Sequence, residues 1–199
     1  MAAGDRLFET ESGVPSLAQC EANSPLWRLA EADGGTCIGL LDNTEEDHER
    51  GKTLVFGDPA WTDYALELET KVLRGRMPNP LTAWWGFGLR AQDPYNMECF
   101  FFRPPKSGTE GLAYVPIAHG LQPVWTEAYV RQEFGPAVVP FGEWLRVRAE
   151  VRGREARVWV GSHLVMTKTL TYYLWRGRPA LYVGTLTDAL FRNITVEAL

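Results

Sequence analysis

Apolar and polar residues alternate along much of the chain with a period of two. In the segment 145–151 every second residue is apolar, and the residues between them are charged. The segments 64–68 and 156–160 show a related alternation. Such a pattern is typical of strands that bury one face in a core and expose the other to solvent. Gly153, which lies between two of these segments, predicts a tight hairpin turn.

Further strands and few helices complete the predicted secondary structure. Additional segments have strand-like composition at 26–30, 36–41, 52–56, 163–169, 180–184 and 190–197. Helical signals are weak: the stretch 15–21 predicts one short helix, and the acidic stretch 44–50 predicts a loop. The 19 glycines and 13 prolines are spread along the chain, without an internal repeat or a linker. Many short strands joined by turns predict a single all-β domain, a sandwich or a barrel.

The net charge of the chain argues against one class of partner, nucleic acid. A length of 199 residues fits one domain, and the formal net charge of −5 does not provide the basic face that nucleic acid requires. The basic residues that do cluster are Arg146, Arg148, Arg152, Arg154 and Arg157. Glutamates are interleaved with them, which predicts a solvated strand face. We therefore expect no nucleic-acid partner.

The cysteines, the N-terminus and the absence of known motifs argue against several classes of site and of location. Cys20, Cys37 and Cys99 lack the spacing of a zinc site or of a disulfide framework. The N-terminus has no apolar signal-peptide core, and no run approaches the roughly 20 apolar residues that span a bilayer. Nucleotide-binding and metal-binding motifs are absent. We expect a cytoplasmic protein without a membrane partner, a metal or another cofactor; a secreted protein whose leader has been removed is the alternative.

One segment in the middle of the chain mixes aromatic residues with a few charges. Arg90 and Arg103 end two strand-like runs, where two guanidinium groups on one sheet would bind a carboxylate or sugar hydroxyls. Strand-end arginines paired with nearby carboxylates are the structural alternative. Trp84, Tyr114 and Trp125 supply rings that stack on a sugar or pack on a hydrocarbon skeleton. We predict that these residues line a cleft for a small molecule.

Glu98 is the first candidate acid/base residue of this cleft. On a strand, Glu98 shares a face with Phe100 and Phe102, whereas Arg103 takes the opposite face. A carboxylate among phenylalanines has a raised pKa and serves as a general acid or base. A surface glutamate beside a half-exposed phenylalanine is the structural alternative.

His119 is the second candidate, predicted in a loop that also contains Tyr114 and Trp125. A loop histidine near two aromatic rings acts as a proton shuttle, or else as a hydrogen-bonded structural residue. A second aromatic run, at 172–175, predicts either a rim of the cleft or apolar packing between loops.

Short motifs within residues 26–199 carry a family resemblance. They lie at 87–93 (Phe-Gly-Leu-Arg-Ala-Gln-Asp), 96–104, 114–125, 143–148, 153–160 and 184–194. Together they resemble the concanavalin A-like lectin/glucanase superfamily, and within it bacterial domains of the 3-keto-disaccharide hydrolase or laminin-G-like type. The resemblance implies a jelly-roll sandwich of two antiparallel sheets with a concave ligand face. It would form one domain over 1–199, with 1–25 as an N-terminal extension packed on it.

The chain departs from the catalytic members of that superfamily. Those members carry a Glu-x-Asp-x-x-Glu or Glu-x-Asp-x-Glu strand, which this chain lacks. Its nearest counterpart is the pair Glu67 and Glu69, for which retaining hydrolysis would need a carboxyl separation of about 5 Å and one protonated group. The surrounding alternation favours solvent exposure of both. Some members hold a structural Ca²⁺, for which Asp188 is the nearest position, but an oxygen-rich cluster is not evident around it.

Three classes of function stay open for a small-molecule ligand in this cleft. The first is a domain that binds, and in an enzyme transforms, a small carbohydrate or glycoside. The second is a cofactor-independent cyclase or isomerase of natural-product biosynthesis, which uses the cleft as a template with one acid/base residue. The third is a non-catalytic interaction module. The sequence does not predict an oligomeric state.

Overall fold

The computed structural model describes residues 4–44, 51–75, 83–103, 111–120, 141–172 and 174–199. The strands are β1 Arg6–Phe8, β2 Glu21–Ala22, β3 Trp27–Ala32, β4 Gly35–Leu40, β5 Lys52–Val55, β6 Tyr64–Gly75, β7 Trp85–Asp93, β8 Asn96–Arg103, β9 Gly111–Ile117, β10 Leu145–Arg152, β11 Glu155–Val160, β12 His163–Thr169, β13 Arg178–Val183 and β14 Thr187–Ala198. One 3₁₀ turn, Leu17–Gln19, precedes β2.

These strands form two antiparallel sheets, as the sequence predicts. In the described residues one sheet has eight strands, ordered β12-β11-β10-β6-β14-β4-β3 with β1 added against β14. The other has six strands, ordered β2-β5-β13-β7-β8-β9. The strands β1 and β2 come from the N-terminal 25 residues, so this part of the chain adds one strand to each sheet.

The strand predictions are confirmed to within three residues at each end, except that β6 continues to Gly75, seven residues beyond the predicted Leu68. Gly153 forms the β10–β11 hairpin turn with φ of +52°, a left-handed value that glycine adopts without a steric cost. The predicted helix at 15–21 is wrong beyond its central turn, Leu17–Gln19. Tyr114 was predicted in a loop and lies instead in β9, the last strand in the order of the six-stranded sheet among the described residues.

The six-stranded sheet is apolar on both faces. In β8, Phe100 and Phe102 belong to the core between the sheets, whereas Met97, Cys99 and Phe101 belong to a second apolar cluster on the opposite face. All five side chains are fully buried. Burial on both faces explains why the run 100–102 is uninterrupted phenylalanine, a pattern that solvent on one side would disrupt.

The outer face of the eight-stranded sheet is charged. Arg148 bonds Glu67, Glu150 and Glu197 at 2.5–2.9 Å, and Arg192 bonds Glu69 at 2.8 Å. The predicted solvated strand face of interleaved arginines and glutamates is therefore confirmed.

The structure also shows the state of the cysteines and of the positions considered for metal binding. Cys20, Cys37 and Cys99 are free thiols. Within the described residues, no three His, Cys, Asp or Glu side chains converge as metal ligands. Asp188, considered for calcium, accepts a hydrogen bond from the Asn43 backbone N–H at 3.0 Å. None of the described helical segments has the length and hydrophobicity to cross a bilayer.

Candidate functional site

The predicted site residues separate into two groups rather than lining one cleft. Trp84 and Arg103 lie where β7 begins and β8 ends, whereas Arg90 and Glu98 lie toward the turn that joins these strands. Arg90 follows Trp84 by six positions along the strand, which corresponds to roughly 20 Å. Trp125 lies outside the described residues, so its predicted role stays a prediction.

The first group is a buried stack on the second apolar cluster. The Trp84 ring stacks on Phe101 with centroids 5.4 Å apart, and the Arg103 guanidinium lies 5.0 Å from the Trp84 centroid. Only 6% of Trp84 and 6% of Arg103 is exposed. A guanidinium over an indole is a favourable cation–π contact, particularly when desolvated. Because the indole already contacts both neighbours, it is not an exposed platform for a sugar ring.

The second group begins with Glu98, which faces the core between the sheets. It pairs across the sheet with Leu89, a core residue, and shares its face with Phe100 and Phe102, as the sequence predicts. Its side chain is fully buried. Arg103 lies on the opposite face, beside Phe101 of the second apolar cluster, as the sequence also predicts.

Both oxygens of the Glu98 carboxylate accept hydrogen bonds. The Tyr114 hydroxyl donates to Oε2 at 2.5 Å, and the Tyr172 backbone N–H donates to Oε1 at 2.9 Å. The Tyr114 oxygen in turn accepts the Thr171 backbone N–H at 2.7 Å. A buried carboxylate requires such partners, and here they fix two consecutive peptide groups.

Burial sets the protonation of this pair. Desolvation raises the pKa of Glu98, and the hydrogen bonds from Tyr114 and from the Tyr172 N–H act in the opposite direction. Burial and the neighbouring Glu98 charge raise the pKa of Tyr114. Tyr114 therefore keeps its proton and remains a donor to Glu98.

Arg90 was predicted to contact the ligand, but its contacts lie within the protein. Its guanidinium donates to the carbonyls of Gly153 and Leu174 at 2.5 and 2.6 Å, to that of Thr62 at 3.2 Å, and to the Asp63 carboxylate at 3.1 Å. The side chain is 2% exposed. This geometry argues against the predicted ligand-binding role.

A bulge in β7 explains why sequence alternation misplaced Arg90. The residue has φ of +52°, and the pairing register shifts between Leu89 and Asp93. Leu89 faces the core and Ala91 the second cluster, so Arg90 is the residue at which the strand bends. The bend lets its side chain reach Asp63, next to the start of β6 in the other sheet.

The contacts of Glu98, Tyr114 and Arg90 converge on one segment, residues 170–172 and 174–177, which we call the aromatic loop. The same loop is held at three further points. The Leu170 N–H donates to the Arg154 carbonyl at 2.8 Å, the Gln92 side chain donates to the Arg176 carbonyl at 2.6 Å, and the Gly177 N–H donates to the Trp61 carbonyl at 2.9 Å. Six backbone N–H or C=O groups of this short segment are therefore hydrogen-bonded to other parts of the sandwich.

Large side chains of the aromatic loop face solvent. Tyr172 is 41% exposed and Trp175 is 59% exposed, and Arg176 is also exposed. The sequence marks this run as aromatic, but its composition alone did not decide between a rim and apolar packing. In the structure both rings are exposed to water on a hydrogen-bonded backbone, and their role as the rim of a cleft stays a prediction.

His119 lies at the surface of the same end of the sandwich. It is exposed with φ of +54°, and its backbone N–H donates to the Asn96 side chain at 3.0 Å. The next residue, Gly120, donates its N–H to the Tyr95 carbonyl at 2.8 Å. The turn therefore sits beside the β7–β8 connection, where Tyr95 is itself 47% exposed. The described contacts place the backbone of His119, and its predicted proton shuttle stays a prediction.

Glu67 and Glu69 do not form a hydrolytic pair. Glu67 bonds Arg148 and Arg146, and Glu69 bonds Arg192. Burial raises the pKa of Glu67, but the hydrogen bonds from Arg148 and Arg146 outweigh it and lower the pKa below its usual value. Retaining hydrolysis requires a proton on one carboxyl, so ion-paired carboxylates fit a structural role better.

Sequence comparison with protein-family models found no match, and comparison with curated proteins found none. Solved structures do resemble this one. The carbohydrate-binding module CBM66 from Bacillus subtilis superposes with a TM-score of 0.62 at 12% identity, covering 90% of this chain and 96% of that chain. A protein of unknown function with a galectin-like fold, also from Bacillus subtilis, gives 0.65 at 9% identity, covering 98% and 97%.

A third similar structure carries a ligand in its own site. Domain 4 of the extracellular arabinanase AbnA from Geobacillus stearothermophilus, in complex with arabinotriose, gives a TM-score of 0.52 at 14% identity, covering 90% of this chain and 81% of that chain. At identities this low, such likenesses establish the fold alone. The chain has a jelly-roll sandwich fold of two antiparallel sheets, as its sequence resemblance implied.

Proposed function

We propose that this chain is a carbohydrate-binding domain and that its ligand contacts the aromatic loop. The observation that carries the proposal is the contrast within that loop: its backbone is fixed by buried groups, while Tyr172 and Trp175 are exposed. Aromatic rings pack on the C–H faces of sugars, and their few rotatable bonds limit the entropy lost on binding. A platform held in place before the ligand arrives loses less free energy on binding.

The similar structures support this proposal without identifying the ligand. One is named as a carbohydrate-binding module, and another is a domain in complex with arabinotriose. The scaffold alone does not fix function, so the proposal rests on the loop.

Binding is favoured over the predicted acid/base chemistry. Both carboxylate oxygens of Glu98 already accept hydrogen bonds from Tyr114 and Tyr172, and the side chain is fully buried. A general acid or base must reach the proton it transfers within about 3 Å or through one water. Glu98 thus acts on the ligand by positioning Tyr172. A template enzyme would need this carboxylate to face its substrate.

The test is a glycan-binding screen with purified protein, followed by titration calorimetry of the best ligand. We expect Trp175→Ala to weaken affinity by about fivefold, since an aromatic contact is worth about 1 kcal/mol. Phe141→Ala is the matched control, because Phe141 is 44% exposed and lies near Val72, toward the opposite end of β6 from Tyr64. Absence of any bound glycan, or equal losses in the two variants, would contradict the proposal.

A further inference from the structure

The aromatic loop lies among basic side chains, although the whole chain is acidic with a formal net charge of −5. Arg176 belongs to the loop and is exposed. Arg154 lies at its start, because the Arg154 carbonyl accepts the Leu170 N–H. Lys168 precedes the loop by two residues, and its ammonium lies 5.5 Å from the Tyr114 ring centroid.

Glu98, the described carboxylate that bonds the loop itself, is fully buried, and the described carboxylates on neighbouring segments are engaged within the protein. Asp63 accepts hydrogen bonds from Arg90 and from the Gly153 N–H. Asp93 accepts from the Tyr95 N–H and the Asn96 amide.

A third carboxylate, Glu155, pairs with Arg157 at 2.7 Å. Among the described residues, Arg176 makes no ion pair. The loop therefore presents a guanidinium that no described carboxylate neutralises, next to the exposed Trp175 ring.

We infer that the carbohydrate bound by the aromatic loop is acidic, built from uronic-acid residues. This inference rests on the proposed function, and it adds the chemical class of the ligand. A guanidinium forms two parallel hydrogen bonds with a planar carboxylate, a geometry that sugar hydroxyls do not reproduce. A ring platform beside that guanidinium contacts the apolar face of a pyranose whose carboxylate meets Arg176. The exposed Arg176 guanidinium also attracts an anionic chain over a neutral one.

The experiment compares acidic glycans with their esters, which differ only in the carboxylate charge. The pairs are oligogalacturonate with its methyl ester, alginate oligomers with their propylene glycol esters, and hyaluronate oligomers with their methyl esters. We expect one acid to bind at least tenfold more tightly than its ester at low ionic strength. The difference should shrink as salt is raised, because exposed charges are screened within about 10 Å at 0.1 M salt.

Two variants assign this preference to the loop. Arg176→Gln should lower affinity for the acid to that of the ester, whereas Arg176→Lys should retain part of the preference. Arg28→Gln is the control, because Arg28 is half-exposed, lies in the edge strand β3 and changes the net charge equally. Unchanged circular dichroism and melting temperature would show that each variant is folded.

The outcomes separate the inference from the proposed function. Equal binding of acid and ester, or binding of neutral glycans only, would overturn the acidic ligand and leave the carbohydrate-binding domain standing. An acid preference that survives Arg176→Gln would also overturn the inference. If no glycan binds, acidic or neutral, the inferred acidic ligand and the proposed carbohydrate-binding function are both wrong.

Discussion

The Glu98 carboxylate accepts the Tyr172 backbone N–H at 2.9 Å, so a fully buried residue of β8 positions an exposed aromatic residue 74 positions away in sequence. The Tyr114 hydroxyl links the same carboxylate to the next peptide group, at Thr171. The inner face of the six-stranded sheet thereby determines the shape of the aromatic loop. This relationship predicts that changes inside the sandwich alter binding outside it.

Replacement of Glu98 by glutamine should loosen the aromatic loop. The carboxylate offers one oxygen to the Tyr114 hydroxyl and one to the Tyr172 N–H, whereas the amide keeps a single acceptor oxygen and leaves one of these two donors without its present acceptor. A buried donor without an acceptor costs about 1–3 kcal/mol, so we expect that loss in the free energy of unfolding. Hydrogen exchange at residues 171 and 172 should accelerate.

The control is Glu69→Gln, which removes a surface ion pair with Arg192. That pair is half-exposed, and its loss should cost less than about 1 kcal/mol without changing exchange in the loop. Equal effects of the two substitutions would show that Glu98 does not position the loop.

Part of this arrangement could be predicted from sequence. Strand alternation is a local property, and it correctly placed Glu98 with Phe100 on one face and Arg103 on the other. The loop contact was not predictable, because it joins β8 to a segment after β12 and depends on the stacking of two sheets. The Arg90 bulge was missed since nothing in Gly-Leu-Arg-Ala signals a left-handed backbone at arginine.

The raised pKa of Glu98 predicts a pH dependence of stability. Because the folded protein holds this proton more tightly than the unfolded chain, the protonated form contributes stability at and below the ordinary value of 4.5. That contribution is lost as pH rises through the folded-state pKa. We expect the unfolding free energy of the wild type relative to Glu98→Gln to fall as pH increases from 4 to 7. A difference that rises over this interval would contradict the assignment.

Arg148 should stabilise the outer face of the eight-stranded sheet through three carboxylates. Arg148→Gln leaves Glu67, Glu150 and Glu197 without their common cation. The side chain is 27% exposed, so each pair is worth less than about 1 kcal/mol and we expect a total loss of about 1–2 kcal/mol at pH 7. Arg157→Gln, with one exposed partner, is the control and should lose less than about 0.5 kcal/mol.

The pH dependence of the Arg148 effect should have the opposite sign to that of Glu98. Hydrogen bonds from Arg148 and Arg146 lower the pKa of Glu67 despite the opposing effect of burial. A lowered pKa contributes stability above the ordinary value, and that stability disappears as pH falls through the folded-state pKa. Urea denaturation at several pH values should show the wild-type advantage over Arg148→Gln shrinking below pH 4.5. If the wild type is more stable than Arg148→Gln by the same amount at every pH and salt concentration, the variant has lost apolar packing of the Arg148 side chain and not its ion pairs.

Arg90 offers the sharpest test of the connection between the sandwich and the aromatic loop. Its planar group bonds the carbonyls of Gly153, Leu174 and Thr62 together with Asp63, which the single ammonium of lysine cannot reproduce. Arg90→Lys should therefore cost about 2–4 kcal/mol, as expected for several buried acceptors left without donors.

Stability alone does not separate loss of the loop contact from general destabilisation. Arg90→Lys also removes a donor to the Leu174 carbonyl. The side chain of the adjacent Trp175 should therefore become more mobile while the protein is still folded, which would lower its fluorescence anisotropy. Arg154→Lys, an exposed change beside the loop, should leave both stability and anisotropy unchanged. If Arg90→Lys destabilises the fold but leaves the anisotropy at its wild-type value, the loop is held by Glu98 and Tyr114 without Arg90.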